Sequence, residues 1–599
     1  MGNGIILYWF TKAPKNNGGN VNLEAIYKLF YWILMGKYLE NFKKYMNDPD
    51  PPSLPDPAPN PGYEPDPILG FDPAPEENAG YSSEPSFSYA KNRTKNGAWE
   101  KVTKGAILGA AVVAIRLILP KLKEFKKLDK YQFKAVTSKR NVTLVLAGAG
   151  CGKTYTITSR VKYLIDYLNV NPKDILCISF TNDAVNKLKD DLNHEVEVLT
   201  FHKLALKIIG RKKEVLAEDM LTDIIINTFS NDKLFGLYNM GKQDMYTLIK
   251  TFINLFKSNN YKLDKFYTFI NKSNAKDKIL LKEIMKCYIC YESYLNKENL
   301  MDFNDMINLA IEGLENSNLR YKHIIVDEYQ DTSYTKFLLL KKLIKLSCAS
   351  FFAVGDDFQS IYRFAGSNIK IITNFRRYFP FSKIIKLKNT YRNSSELIKI
   401  AGKFIMKNPF QIKKKLKSSI SVKNPVQIVY YDNLNNSLEN VILEDKIDDL
   451  YILSRNNKDL DNIKLDNVNC KKISVHKSKG LESENVFLVN VSSSNNGFPN
   501  KYVDHNILKY VNNYKEYYPY EEERRLFYVA LTRCKNRVYL FVPKYKESIF
   551  IKEIKRYKNV IIRKNSLIWF RNMFLKIIIY NIEINNRKSR TLLDYLLFS

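Results

Sequence analysis

A β-branched run, "VTLVL" (142–146), leads directly into "AGAGCGKT" (147–154), and the reading of this stretch decides the fold. Gly148, Gly150 and Gly152 alternate with small residues, which permits a tight backbone path and close approach of a ligand. The spacing fits G-x-x-x-x-G-K-[ST], with Ala147 in place of the first glycine. A strand in front and a helical pattern behind supply the context that a phosphate-binding loop requires. Backbone amides of Ala147, Gly148, Ala149, Gly150, Cys151 and Gly152, with the following helix N-terminus, would face phosphates. Lys153 would reach the β- and γ-phosphates, Thr154 would hold Mg²⁺, and Tyr155 follows. The plain alternative is a structural glycine turn; the Lys-Thr ending argues against it.

Further along, "IIVDEYQD" (324–331) supplies a second part. An apolar strand delivers Asp327 at its carboxyl end, where ligands bind in parallel sheets. Asp327 is read as the Mg²⁺ carboxylate and Glu328 as the base that orients and deprotonates water. Phosphoryl transfer also needs charge stabilisation. Gln359 in "GDDFQSIYRFAG", Arg392 in "TYRN" and Arg533 in "YVALTRC" are the candidates.

The same kind of short apolar run recurs at 175–180, 323–328 and 351–356, each followed by a polar turn and a helical stretch. That alternation predicts a parallel sheet with crossover helices. A second set lies at 426–431, 451–454, 486–491 and 538–543. The expected class is therefore α/β, with two parallel-sheet domains. The first is placed at 128–370 with a helical insertion at about 205–315, and the second at 371–545. Outside them lie an aromatic and basic segment (1–47), an acidic Pro-rich linker (48–90), a basic helical segment (91–127) and a basic tail (546–599). A partner-docking or anchoring arm is the expectation for residues 1–127.

The 599 residues carry 94 Lys and Arg against 62 Asp and Glu, a net +32, which points to a polyanionic partner. Seven cysteines are scattered, with one CxxC (Cys287 and Cys290) and no second pair, so core thiols are expected rather than a zinc site. The usage reads as a reduced, intracellular protein. "MGNGIILYWF" lacks a basic n-region and a long apolar core, so it is not read as a secretory signal. "GAILGAAVVAI" (105–115) is too short to span a bilayer, and no membrane role is expected.

In order along the chain, these residues resemble the UvrD/Rep branch of superfamily 1 helicases. "LDKYQ" (128–132) is similar to the adenine-reading Q motif, and the phosphate loop follows. "SFTNDAVNKL" (179–188) and "TFHKLA" (200–205) resemble motifs Ia and Ib, and "MDFNDM" (301–306) a segment ahead of motif II. "VDEYQDT" (326–332), "GDDFQSIYRFAGS" (355–367) and "TYRNS" (390–394) resemble motifs II, III and IV. "SVHKSKGLE" (474–482) and "EEERRLFYVALTR" (521–533) resemble motifs V and VI, and the form of motif III is similar to helicase IV-like members.

The resemblance implies two RecA-like domains and ATP-dependent movement, 3′ to 5′, on single-stranded DNA and at single/double-strand junctions. It implies that Gln132 reads adenine and Tyr391 stacks on it. Gln359, Arg392 and Arg533 would sense the γ-phosphate, and Glu482 would contact the nucleotide. It assigns Phe180, Asn182, Thr200, Phe201, His202, Tyr362, Phe364 and His476 to the nucleic-acid track. Core packing is the competing reading for Phe180, Phe201, Tyr362 and Phe364, and a core or coupling role the competing one for His476. About 15 residues separate "ILSRNN" from motif V, so the large 2B insertion of Rep-type members is expected to be absent. A translocase that strips proteins with little unwinding, and a DNA-binding scaffold without turnover, are the alternatives.

Overall fold

The computed structural model describes residues 127–563, apart from 193, 211–212, 217–219, 466–468, 502–504 and 513–517. The segments expected at 1–47 and 48–90, all but the last residue of 91–127, and the tail beyond 563 lie outside the described residues.

Fourteen strands are present among the described residues. Those of the first lobe are β1 (Val142–Leu146), β2 (Ile175–Ser179), β3 (Glu197–Thr200), β4 (Glu214–Val215), β5 (Leu300–Met301), β6 (His323–Val326), β7 (Ser350–Gly355) and β8 (Lys383–Lys386). Those of the second are β9 (Val426–Tyr431), β10 (Leu450–Ser454), β11 (Cys470–Ser474), β12 (Ser483–Leu488), β13 (Cys534–Pro543) and β14 (Val560–Arg563). Two six-stranded sheets run β3-β2-β6-β7-β1-β8 and β11-β10-β12-β13-β9-β14. Every pairing in both is parallel.

The reason is visible in β1. Leu144 and Leu146 enter one core and Val145 and Ala147 the other, so both faces are covered and the strand reads as a continuous apolar run. The second sheet repeats the pattern, with Val486 and Leu488 on one face and Phe487 and Val489 on the other.

Three boundaries differ from the sequence expectation. The first sheet takes its edge strand β8 from beyond 370, in register with β1. The second sheet takes β14 from beyond 545, in register with β9. The helical insertion is narrower than 205–315. Helices Phe201–Ile209 and Phe303–Gly313 belong to the core of the first lobe, through Phe201, Leu204, Met306 and Ile307. The insertion proper lies between β4 and β5, which pair with each other and close its base.

Its helices have their own core around Phe252, Phe256 and Phe266. Ile507, Leu508 and Val511, from the second lobe, are buried in that same core. Asn259 Nδ2 donates to the Val511 carbonyl (2.9 Å), and Lys509 pairs with Asp277 (2.7 Å). Cys287 is buried among these helices and Cys290 is exposed. β10 and β11 are joined by residues 455–469 and are adjacent in the sheet. No helix among the described residues is long and apolar enough to cross a membrane.

Candidate nucleotide site and strand cleft

β6, β7 and β1 are neighbours in the sheet and all parallel, so the three loops that leave their carboxyl ends lie side by side. From β1 comes the glycine loop, ending on helix Lys153–Asp166. Gly150 and Gly152 have φ of 69° and 75°, the left-handed region that side chains rarely adopt. A Cβ on Gly150 would sit 2.5 Å from the Arg392 Cβ, and one on Gly152 2.7 Å from the Gln132 amide nitrogen. The glycines therefore admit neighbours as well as a ligand.

From β6 come Asp327 and Glu328. Glu328 is itself left-handed (φ 48°, ψ 39°), a conformation costing a non-glycine residue about 1–2 kcal/mol and one found where function over-determines the backbone. Its carboxylate accepts from Lys153 Nζ (2.7 Å) and Gln330 Nε2 (2.5 Å). Burial alone would raise the pKa of Glu328, but the ammoniums of Lys153 and Lys479 override it and hold the pKa at about 2. Its neighbour Asp327 goes the other way, pushed up to about 6 by burial and by the charge of Glu328. The pair thus separates into an ionised group held by Lys153 and a carboxylate short of positive charge.

From β7 comes Gln359, on a short 3-10 turn (Asp357–Gln359) whose N-cap is Asp356. The Gln359 Nε2 donates to Asp356 Oδ2 (2.6 Å), which turns its carbonyl oxygen towards Arg533 Nη2 (3.3 Å). Arg533 belongs to the second lobe, at the end of helix Glu521–Leu531, and is buried. Burial, together with the Arg392 cation, pulls its pKa down to about 9. Arg392 arrives from the chain that leaves β8, and pairs with Glu482 (2.6 Å). The same stretch touches the glycine loop directly: Thr390 Oγ1 donates to the Ala149 carbonyl (2.8 Å), and Tyr391 N to that of Gly150 (2.9 Å). Gln132 donates to the Cys151 carbonyl (3.2 Å), and the Tyr391 hydroxyl to Asp129 (2.7 Å), the cap of the Gln132 helix. Of the residues expected at the phosphates, the structure pairs Lys153 with Glu328, Gln359 with Arg533 and Arg392 with Glu482. Thr154 and Tyr155 lie on the first turn of helix Lys153–Asp166, Tyr155 exposed.

The expected nucleic-acid residues divide. Tyr362, Phe364 and His476 line one cavity of about 1210 Å³ whose wall also includes Leu255 of the helical insertion and Arg455 of the second lobe. Phe364 is 62% exposed, and meets Tyr362 and His476 edge-on (6.0 and 5.5 Å between ring centres). Burial, with the Arg455 cation near, lowers the pKa of His476 to about 4. Phe201 is 2% exposed and lies in the first-lobe core, so packing is the reading it fits. Phe180 sits half-buried against it, with Lys336 Nζ over both rings. Thr200 spends its hydroxyl capping helix Phe201–Ile209, accepting from Lys203 N. Asn182 is exposed, and His202 packs edge-on against Phe303.

Two lysines carry weight that no role was assigned from sequence. Lys479 pairs with Asp331 and donates to the main-chain carbonyl of Gln359 (2.8 Å), so motif V of the second lobe reaches across to motifs II and III. Its place beside His476 in "HKSKG" was the available signal. Lys414 pairs with Asp356 and Asp357; nothing in the lysine run 413–415 distinguishes it.

Two RecA-like lobes, a phosphate loop on one and arginines from the other facing it, define a two-lobed P-loop NTPase fold. The chain matches the UvrD/REP helicase N-terminal domain over residues 128–380 and the UvrD-like helicase C-terminal domain over 451–545, together more than half its length. It is 27% identical to DNA helicase IV of Escherichia coli over 503 residues, covering 74% of this chain and 72% of the relative. With the ATP-dependent DNA helicase Rep of Buchnera aphidicola it shares 31% identity, covering 50% and 47%. With Rep of Escherichia coli it shares 30%, covering 53% and 48%. The chain belongs to the UvrD/Rep-type family of superfamily 1. It spans about half the length of the Rep relatives it matches.

Proposed function

We propose that this protein is an ATP-dependent DNA helicase that moves along single-stranded DNA, 3′ to 5′, by closing and opening its two lobes around ATP. The observation that carries the reading is the contact of Arg533, from the second lobe, with Gln359, from the first, beside the Lys153–Glu328 pair.

The cradle suits a triphosphate. Left-handed glycines at Gly150 and Gly152 and the amide end of a 14-residue helix converge on it. Lys153 is the cation for the β- and γ-phosphates. Its ammonium donates to Glu328 (2.7 Å), the water-orienting base, which places that carboxylate beside the γ-phosphate cation. Asp327 and Thr154 are the oxygen donors for Mg²⁺, which when bound neutralises charge developing on the phosphates. Gln132 reads adenine and Tyr391 covers it. Arg392 and Arg533 stabilise the transferring group from the opposite lobe.

Closure also moves the cleft, because Tyr362, Phe364 and His476 sit on the same two loops as Gln359 and Lys479. Tyr362 OH donates to the His476 carbonyl (3.3 Å), which ties motif III to motif V across the seam. Exposed Phe364 offers a base a stacking face, worth about 1–3 kcal/mol without a sequence code. DNA helicase IV and Rep are, by name, helicases acting on DNA.

The test is ATP hydrolysis with and without single-stranded DNA, in the wild type and in Lys153→Ala. Stimulated turnover in the first and none in the second is the expected result. Turnover retained by Lys153→Ala would remove the phosphate-loop assignment.

A further inference from the structure

Between helix Ser395–Ile405 and β9, residues 408–418 leave the second lobe and lie along the first. Ile412 N donates to Asp357 Oδ2 (2.9 Å), and Lys417 bonds back to the chain joining the lobes, at Lys388 and Thr390 (2.7 and 2.9 Å). Leu416 covers the glycine loop so closely that a Cβ on Gly148 would meet its Cδ1 at 2.4 Å. Lys414 points inward, with its side chain 1% exposed.

The Lys414 ammonium is fully engaged. It pairs with Asp356, pairs with Asp357 Oδ1 (2.6 Å) and lies 3.5 Å from the Ala147 carbonyl, where the glycine loop begins. The Phe358 ring lies beneath it, 3.8 Å away. Both aspartates are fully buried. Two adjacent carboxylates without a cation there would each face a desolvation penalty of several kcal/mol. Asp356 is also the group that fixes the Gln359 amide: its Oδ2 takes the amide hydrogen, and the carbonyl oxygen is left facing Arg533. A continuous series therefore runs Lys414, Asp356, Gln359, Arg533.

We propose that Lys414 is a positioning residue for ATP hydrolysis. It holds Asp356, and through it the Gln359 amide, in the orientation that presents a carbonyl to Arg533, while tying that group to the start of the glycine loop. Lys414 touches no substrate in this arrangement; it acts through Gln359. The inference rests on the ATPase reading above and adds a residue to that site.

The experiment is a double-mutant cycle on DNA-stimulated ATP hydrolysis, comparing wild type, Lys414→Met, Gln359→Ala and the pair. Lys414→Met is expected to lower kcat roughly 10–100-fold, the usual range for a residue supporting a catalytic group, with KM for ATP changed far less. Lys414→Arg is expected to recover most of the loss. In the Gln359→Ala background, Lys414→Met is expected to cost little further, because its effect already runs through Gln359. Full additivity, or a fall in KM and kcat alike, overturns the proposal. Should Lys414→Met not fold, the cycle is run on Lys414→Met/Asp357→Asn against Asp357→Asn, which removes one of the two buried carboxylates and restores the local net charge of the wild type, with the same expected and contrary results. A wild type active only with Lys153 intact, beside a Lys414→Met variant of normal kcat, sinks this inference alone. A wild type without hydrolysis sinks the function and this inference with it.

Discussion

Arg533 is among the largest fully buried side chains, and it is a cation. Burying a charge costs several kcal/mol unless hydrogen bonds satisfy it. Arg533 has some: Nε donates to the Val529 carbonyl (3.0 Å), Nη1 to that of Leu481 (3.3 Å) and Nη2 to Gln359. Burial, and after it the Arg392 cation, still depresses its pKa. Arg533→Ala should leave ATP binding within a few-fold of wild type, while turnover falls about 10³-fold, the scale of an arginine finger. Paired binding and single-turnover measurements check it; a loss under tenfold removes Arg533 from the role. Glu328 and Lys153 were readable from local spacing, since the chemistry of "GKT" and "VDE" is written in adjacent residues. The Gln359–Arg533 contact joins positions 174 apart and could be expected only from the order of motifs.

At the scale of elements, the strands β1, β6 and β7 were legible because burial on both faces forces a continuous apolar run. The edge strands β8 ("KIIK") and β14 ("VIIR") were not, since each is four residues long and flanked by charge. Aromatics at strand ends carry the same ambiguity. Phe201 and Phe364 look alike in sequence, and only tertiary packing sends one to the core and the other to the cleft. Two outcomes belong here. Gly150→Ala should abolish turnover, because the added methyl meets Arg392 and the backbone is left-handed there; ATPase assay beside a melting curve shows whether the loss is in activity or in folding. Ile507→Ala should destabilise the protein by about 2–4 kcal/mol, the range for truncating a buried aliphatic side chain. Ile507 is fully buried in the insertion core, and urea titration reads the change.

Across the whole molecule, charge and proton linkage make their own predictions. Lys477 and Lys501 line the cleft beside Arg363 and Arg455, which pair with Glu522 (2.7 Å) and Glu523 (2.8 Å). Pairing each of the two lysines with one phosphate gives a slope of about −1.4 for log affinity against log salt on single strands. Salt-independent binding would place the strand elsewhere. Burial holds His202, His323 and His476 at pKa values of about 4. Their unfolded value is near 6.5, so the unfolded chain takes up protons first as pH falls. The stability they contribute is whole above about pH 6.5 and is lost on the way down to about 4. Asp305, Asp327 and Asp331, pushed up to about 6, take up protons in the folded state over the same window and oppose this loss. The histidine part is therefore read by difference, the urea midpoint of His323→Gln falling less with acid than that of the wild type; equal falls would contradict a buried, neutral His323.

The most direct test of a nucleotide-driven lobe motion is movement itself. Stopped-flow fluorescence with a dye at the 5′ end of oligothymidylates of increasing length reads the time to arrival. The predicted result is an ATP-dependent lag that grows in proportion to length and disappears in Arg533→Ala. A signal without ATP, or a lag independent of length, would contradict the account.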